Sequence, residues 1–432
     1  MRAAAIVVYG LALGWGARAQ PSPSGLLQEV TRKVLDTVDR LPNYMCTQTI
    51  DRYQYEPARA STGQSCEPAV NRPLHLATSD RLRLDVAASG YHEIYSWVGE
   101  SHFEDRSLFD LVGNGALSTG SFSSFLAVVF RIDNPGFSYK GPVTEDGRRL
   151  EEYEFRVPQP MSHYIFGGGG VHVNAGYSGS ILVDPATADL ARLEVQTDLL
   201  PPETGSCRTS SVLDYSRMRL NDTDFLLPNR TELRIFDANG KELKNITVYT
   251  GCHEFLGEST LHFGSEPEPG GAAGHAASAS AAEWPAGLPF EIALTQSIDP
   301  ATAAAGDRVT ARMADAIRDR QRRILAPKGA AVTLRILEIR RFYAPEPILW
   351  VTLKPETVET GGTPRALRAE PDTWLRPLNS SNGIQRRRDI ITRVLIDAQD
   401  PQAGVFQFWN IRPGYSVPSG FGSRWVTAAA GQ

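Results

Sequence analysis

Catalytic signatures are missing from this sequence of 432 residues. It contains no H-E-x-x-H pair, no G-x-x-x-x-G-K-[ST] phosphate loop, no G-x-G-x-x-G loop after a strand pattern and no EF-hand loop. Gly176-Tyr177-Ser178-Gly179-Ser180 begins like a nucleophile elbow, but its last position is Ser and its flanks read as strand to strand, which leaves a turn serine. Carboxylate pairs such as Glu151-Glu152 and Glu104-Asp105 are adjacent, so on a strand their side chains diverge to opposite faces. No nucleophile, base or metal constellation remains, so no catalytic residue, metal ligand or cofactor is assigned and the chain reads as non-enzymatic.

Cysteine is scarce, and Cys46, Cys66, Cys207 and Cys252 all precede residue 260. They form no C-x-x-C pair and have no close pair of histidines beside them, which argues against structural zinc. His163 and His172 flank the glycine run 167–170, and so wide and loose a spacing suits surface histidines better than metal ligands. Lysine is nearly absent from the C-terminal part, where Lys328 and Lys354 stand alone among arginines. Residues 289–432 carry 20 Lys+Arg against 14 Asp+Glu, a net +6, which leaves −11 for residues 1–288. The arginine excess comes without a recognition motif, so it reads as a solvated barrel surface rather than a nucleic-acid site.

Long apolar runs are also lacking. The only candidate is Ala3 to Trp15, shorter than the roughly 20 residues of a membrane span and followed directly by Pro21-Ser22-Pro23-Ser24-Gly25. With Arg2 before it and Ala17-Arg18-Ala19 after it, residues 1–19 read as a signal peptide. This predicts a periplasmic or secreted protein of a Gram-negative cell that does not span the membrane after cleavage. No Cys near the leader's end offers a lipidation site. In an exported chain the four cysteines become disulfide candidates. Three pairings stay open. Proximity favours Cys46 with Cys66, and neighbouring strand ends favour Cys207 with Cys252.

What the chain does contain is ordinary globular composition, 41% hydrophobic and 22% charged, enough for two domains. Leu26, Leu27, Val30, Val34 and Val38 recur at helical spacing until Leu41-Pro42. From Tyr44 the pattern changes to alternating strands with turn signals. Three hairpins are legible, turning at Asp146-Gly147, at Asp184 to Asp189, and at Asp237 to Gly240. Phe122, Phe125, Leu126 and Val129 mark a second helical patch. The glycine run reads as a mobile loop. Residues 264–287, rich in Gly, Ala, Ser, Pro and Glu, read as a linker. Short alternating strands follow it, with frequent Pro and Gly.

The expected fold is mainly β with a few helices: a signal peptide at 1–19, a curved antiparallel half-barrel covered by helices at 20–263, a flexible linker at 264–288, and a small β-barrel or sandwich at 289–432. Within the half-barrel, Tyr91, Tyr95 and Trp97 on one strand, with Phe109, Phe122, Phe125, Leu126 and Val129 of the lid, are candidates to line a cavity for an acyl chain or another apolar ligand. The competing reading is that these rings fill the core.

The order of leader, amphipathic helix, long strands and inserted lid, with the hairpin Gly179 to Glu194 and its V-D-P-x-T turn at Val183 to Thr187, resembles the LolA-like and LolB-like half-barrel carriers over about residues 26–263. Leu41 to Ile50 and Gly251 to Thr260 resemble uncharacterised exported acidobacterial proteins. Gly306 to Arg312, followed by Ile324 to Ala330, is similar to the small β-barrel of VirB10/TrbI-type channel proteins. The first resemblance implies an envelope protein that binds a lipid or a lipid-modified protein, with an envelope protein as a further partner. The alternative is an assembly module of an envelope complex without a small ligand.

Overall fold

The computed structural model describes residues 22–58, 66, 73–90, 92–100, 103, 108–112, 115–120, 122–168, 170–255, 284–372 and 390–429. The leader, Tyr91 and most of the linker lie outside the described residues.

Helix α1, Pro23–Arg40, starts where Ser22 caps the Gly25 amide at 3.2 Å and Pro23 supplies a first-turn φ. Its buried residues Leu26, Val30, Val34 and Val38 form the stripe expected from their spacing. Ten strands then build one antiparallel sheet: β1 Tyr44–Pro57, β2 Leu74–Ser89, β3 His92–Trp97, β4 Ser138–Glu145, β5 Arg148–Val157 and, beyond a separate hairpin of β6 Ile165–Gly168 with β7 Val171–Asn174, β8 Tyr177–Asp184, β9 Asp189–Thr197, β10 Ser206–Leu220, β11 Thr223–Asp237 and β12 Glu242–Glu254. Their order is β3-β2-β1-β12-β11-β10-β9-β8-β5-β4. All three expected hairpins are present, with the Asp146-Gly147 and Gly240 turns in left-handed backbone. The sheet does not close. Helix α1 packs inside it with the short helix α3, Ser124–Ala127, which continues as a wider π-type turn through Ile132. Helix α2, Leu108–Val112, lies beside β3.

Two local expectations are corrected. Gly167 and Gly168, expected in a mobile loop, belong to strand β6, because Ile165 to Gly168 and Val171 to Asn174 pair directly. The cysteines join as Cys46–Cys252 and Cys66–Cys207. The neighbour pairing fails because β1 pairs with β12, which brings together positions 206 residues apart, with Cα atoms 4.1 Å from each other.

The C-terminal unit comprises β13 Pro289–Leu294, β14 Arg308–Met313, the small hairpin β15 Ile317–Arg318 with β16 Ile324–Ala326, then β17 Ala331–Phe342, β18 Ile348–Thr360, β19 Thr363–Ala366, β20 Ala369–Pro371, β21 Ile391–Ile396, β22 Gly404–Trp409 and β23 Gly422–Thr427. Eight of these wrap in the order β21-β22-β18-β17-β14-β13-β23-β20 around a core that includes Trp425, Phe406 and Phe408. The end strands β20 and β21 touch. Trp284 and Leu288, at the end of the expected linker, are buried in this core.

The units share one continuous sheet. Strand β2 has β1 on one side, and its other edge is covered in three successive pieces: β17 at Thr78 to Asp80, Ala305 at Arg81 to Arg83, and β3 from Leu84 onward. The amide of Arg83 donates to Ala305 O at 2.7 Å and that of Ala305 to Arg81 O at 2.8 Å. An unpaired edge invites aggregation, and here the second unit satisfies it. Gly306 makes the approach possible. Its φ is +101°, and a Cβ there would lie 2.1 Å from the Arg83 carbonyl oxygen.

Candidate ligand cavity

Period-two alternation turns Thr209, Ser211 and Leu213 of β10, and Thr231, Leu233 and Ile235 of β11, toward one side of the sheet. All six line a cavity of about 720 Å³ beneath the lid. Small hydroxyl side chains stand at three of these inward positions, where a packed core would place large apolar groups. The opposite wall is α2, α3 and the segment 115–120, and the β6–β7 hairpin contributes Ile165, Phe166, Gly167 and His172.

The lid segment is pinned by polar contacts. Glu93 on β3 accepts from the Gly120 amide at 2.7 Å, the Phe122 amide at 3.3 Å and the Tyr95 hydroxyl at 2.5 Å. The Ser123 hydroxyl donates to Gly90 O at 2.6 Å, and Asn245 Nδ2 donates to Ala116 O at 2.6 Å. Burial, together with the neighbouring Glu93 carboxylate, pushes the Tyr95 phenol well above its ordinary range. On the far wall the Tyr164 hydroxyl lies 3.2 Å from Thr209 Oγ1, and its phenol is also raised by burial.

Asp133 is a second anchor. Its carboxylate accepts from the Tyr177 hydroxyl at 2.6 Å and the His163 amide at 3.2 Å, and it lies 2.6 Å from His163 Nδ1. The His163 ring also borders the cavity. It is therefore tied by a carboxylate, and among the described residues no cluster of three or more His, Cys, Asp or Glu could hold a metal. Burial drives the Tyr177 phenol strongly upward, with the Asp133 carboxylate adding to it.

The expected aromatic and aliphatic residues divide among three environments. Tyr95, Phe109 and Phe125 line the cavity. Phe122, Leu126 and Val129 instead fill core: Phe122 packs edge-on to Tyr44 and Tyr249, while Leu126 and Val129 join the α1 stripe. Trp97 borders a different cleft at the junction of the two units, and Tyr91 lies outside the described residues. Sequence reasoning passed over Glu93, Tyr164, Thr209, Ser211 and Thr231. The signal available for the last three was hydroxyl residues at inward positions of long strands. Ser178 and Ser180, considered as an elbow, lie within strand β8.

No family model matches the sequence, and no curated protein matches it. Solved structures similar to it include a domain from Vibrio parahaemolyticus described as an outer membrane lipoprotein-sorting protein, with 10% identity, coverage of 52% of this chain and 90% of that one, and a TM-score of 0.25. A DUF1329 family protein from Desulfovibrio piger matches with 8% identity over 55% of this chain and 96% of its own, TM-score 0.27. A LolA superfamily protein from Nitrosomonas europaea matches with 11% identity over 53% and 93%, TM-score 0.23. Identity and scores at this level attach no ligand or activity to the present chain.

Proposed function

We propose that this protein is an exported, non-enzymatic binding protein whose half-barrel, at 20–263, holds an amphipathic ligand such as a lipid or the acyl group of a lipid-modified protein. The observation that carries this reading is the row Thr209, Ser211 and Thr231 on the concave face, which leaves about 720 Å³ between sheet and lid. That volume lies within the roughly 300–1,000 Å³ of small-molecule pockets. Tyr95, Leu108, Phe109 and Phe125 offer apolar contact for a chain, and Glu93, Thr209, Ser211 and Thr231 offer polar partners for a head group. The leader at 1–19 and two disulfides fit export to an oxidising compartment, the periplasm of a Gram-negative cell or its surroundings. The C-terminal unit, at 289–432, serves as a packed scaffold that covers the open edge of β2.

Mass spectrometry of an organic extract of the protein purified from its native host tests this. A stoichiometric amphiphile is expected. An empty extract, together with no saturable uptake of a fluorescent fatty acid, would contradict it.

A further inference from the structure

A second cavity, of about 780 Å³, lies at the junction of the two units. It is bordered by β1, β2, β3 and α2 on one side, and by β17, β18 and the β21–β22 turn on the other. Among the described residues, its walls carry six carboxylates against four bases. Each base is already engaged. Arg335, 2% exposed in its side chain, pairs with Glu100 and Glu356; Arg52 pairs with Asp80 at 2.5 Å; Lys354 pairs with Asp400 at 2.6 Å; and Arg340 pairs with Glu338 at 2.9 Å.

Arg340 Nε, 3.6 Å from Asp80, has no hydrogen-bond partner among the described residues; the other unused capacity of the cleft is for accepting hydrogen bonds. Glu338 spends one oxygen on Arg340, and Asp397 spends one on the amides of Gln399 and Asp400. Asp80, Glu338 and Asp397 all line the cleft, and burial raises the Glu338 carboxyl, with Asp80 and Asp397 adding to the rise and Arg340 and Arg52 opposing it. An independent sign comes from Thr352, which borders the same cleft. It is 1% exposed, and among the described residues its hydroxyl has no hydrogen-bond partner. A buried polar group left unpaired is costly, which points to a partner supplied from the cleft. The Trp97 indole adds an aromatic wall of the kind that attracts organic cations.

We infer that this junction cleft is a second binding site, for a small organic polyamine cation held by Glu338 and Asp397, with Thr352 accepting a further N–H. The site is separate from the half-barrel cavity, although Tyr95 borders both and α2 stands between them, with Leu108 and Phe109 on the cavity and Leu111 and Val112 on the cleft. A bound cation would reduce the mutual repulsion of Glu338 and Asp397.

Equilibrium dialysis of the full chain against spermidine at fixed ionic strength tests the inference. Saturable one-to-one binding is expected, weakened at least tenfold in Glu338→Gln and in Asp397→Asn and unaffected by equal ionic strength supplied as magnesium chloride. Asp397 lies on a turn, so its variant keeps the test open if Glu338→Gln misfolds. No saturable binding by the unaltered protein would overturn the inference. So would binding that magnesium abolishes equally or that a folded Asp397→Asn retains in full. Because spermidine is not an acyl probe, failure here leaves the half-barrel reading standing, and failure of that reading leaves this one standing.

Discussion

The two units of this protein use the same antiparallel alternation and reach opposite interiors. The C-terminal sheet wraps until its end strands touch, and it fills its centre with large rings. Trp425 is fully buried, Phe406 and Phe408 are 1% exposed, and the Trp425 indole is satisfied by Ser423 Oγ at 2.9 Å. The N-terminal sheet stays open. One end of its trough is filled by α1, α3 and their aromatic neighbours, while the stretch opposite Thr209, Ser211 and Thr231 is roofed by short lid elements and stays hollow. Sheet architecture alone therefore does not decide between core and container. Side-chain size at the inward positions does.

Trp425→Ala should have the largest effect, costing about 3–5 kcal/mol in denaturant unfolding because nothing can collapse into the space, while acyl-probe binding by the folded fraction is unchanged. A fall in probe affinity would show that the two interiors are not independent. Replacing Cys46 and Cys252 together by Ala should cost about 2–5 kcal/mol, since the bridge closes a long loop across β1 and β12, and its loss should register in the N-terminal unit. At the junction, Gly306→Val should cost about 1–3 kcal/mol and speed amide exchange at Arg83 and Ala305, with the α1 amides unaffected.

Alkaline pH should separate the units more gently. Burial raises the Tyr153 phenol to about 12 and pushes up those of Tyr44, Tyr95, Tyr164, Tyr177 and Tyr215, all in the N-terminal unit; in the C-terminal unit Tyr415 is raised to about 12. A phenol raised in the folded state stabilises folding fully below its unfolded value near 10 and loses that contribution as pH climbs through the folded value. Signals from the N-terminal unit should therefore weaken first between about pH 10 and 12, followed by phenolate absorbance and near-ultraviolet circular dichroism.

Local physics made much of this molecule readable beforehand. Leu26, Val30, Val34 and Val38 announce α1, and Asp146-Gly147 and Asn239-Gly240 announce their hairpins, because each signal lies within a few residues of the structure it specifies. Cys46 and Cys252 were opaque for the opposite reason: they meet only once β1 and β12, the first and last strands of the open sheet's chain, have paired. The same holds for Ala305 on the edge of β2, where a glycine followed by a charged strand gave no hint of its partner more than two hundred residues earlier. Within the cavity, Tyr95, Phe109 and Phe125 were visible as rings, but rings serve core and cavity alike, and Phe122 went to the core. Thr209, Ser211 and Thr231 were missed because a search for greasy residues passes over the small polar ones that leave the room.

The most direct test of the hollow half-barrel is titration of a fluorescent fatty acid against the unaltered protein and Ser211→Trp, whose indole would occupy the space opposite the lid. Saturable one-to-one binding, lost or weakened at least tenfold in a Ser211→Trp variant that unfolds at the same denaturant concentration, is the predicted result. Equal binding by both proteins, or by neither, would contradict it.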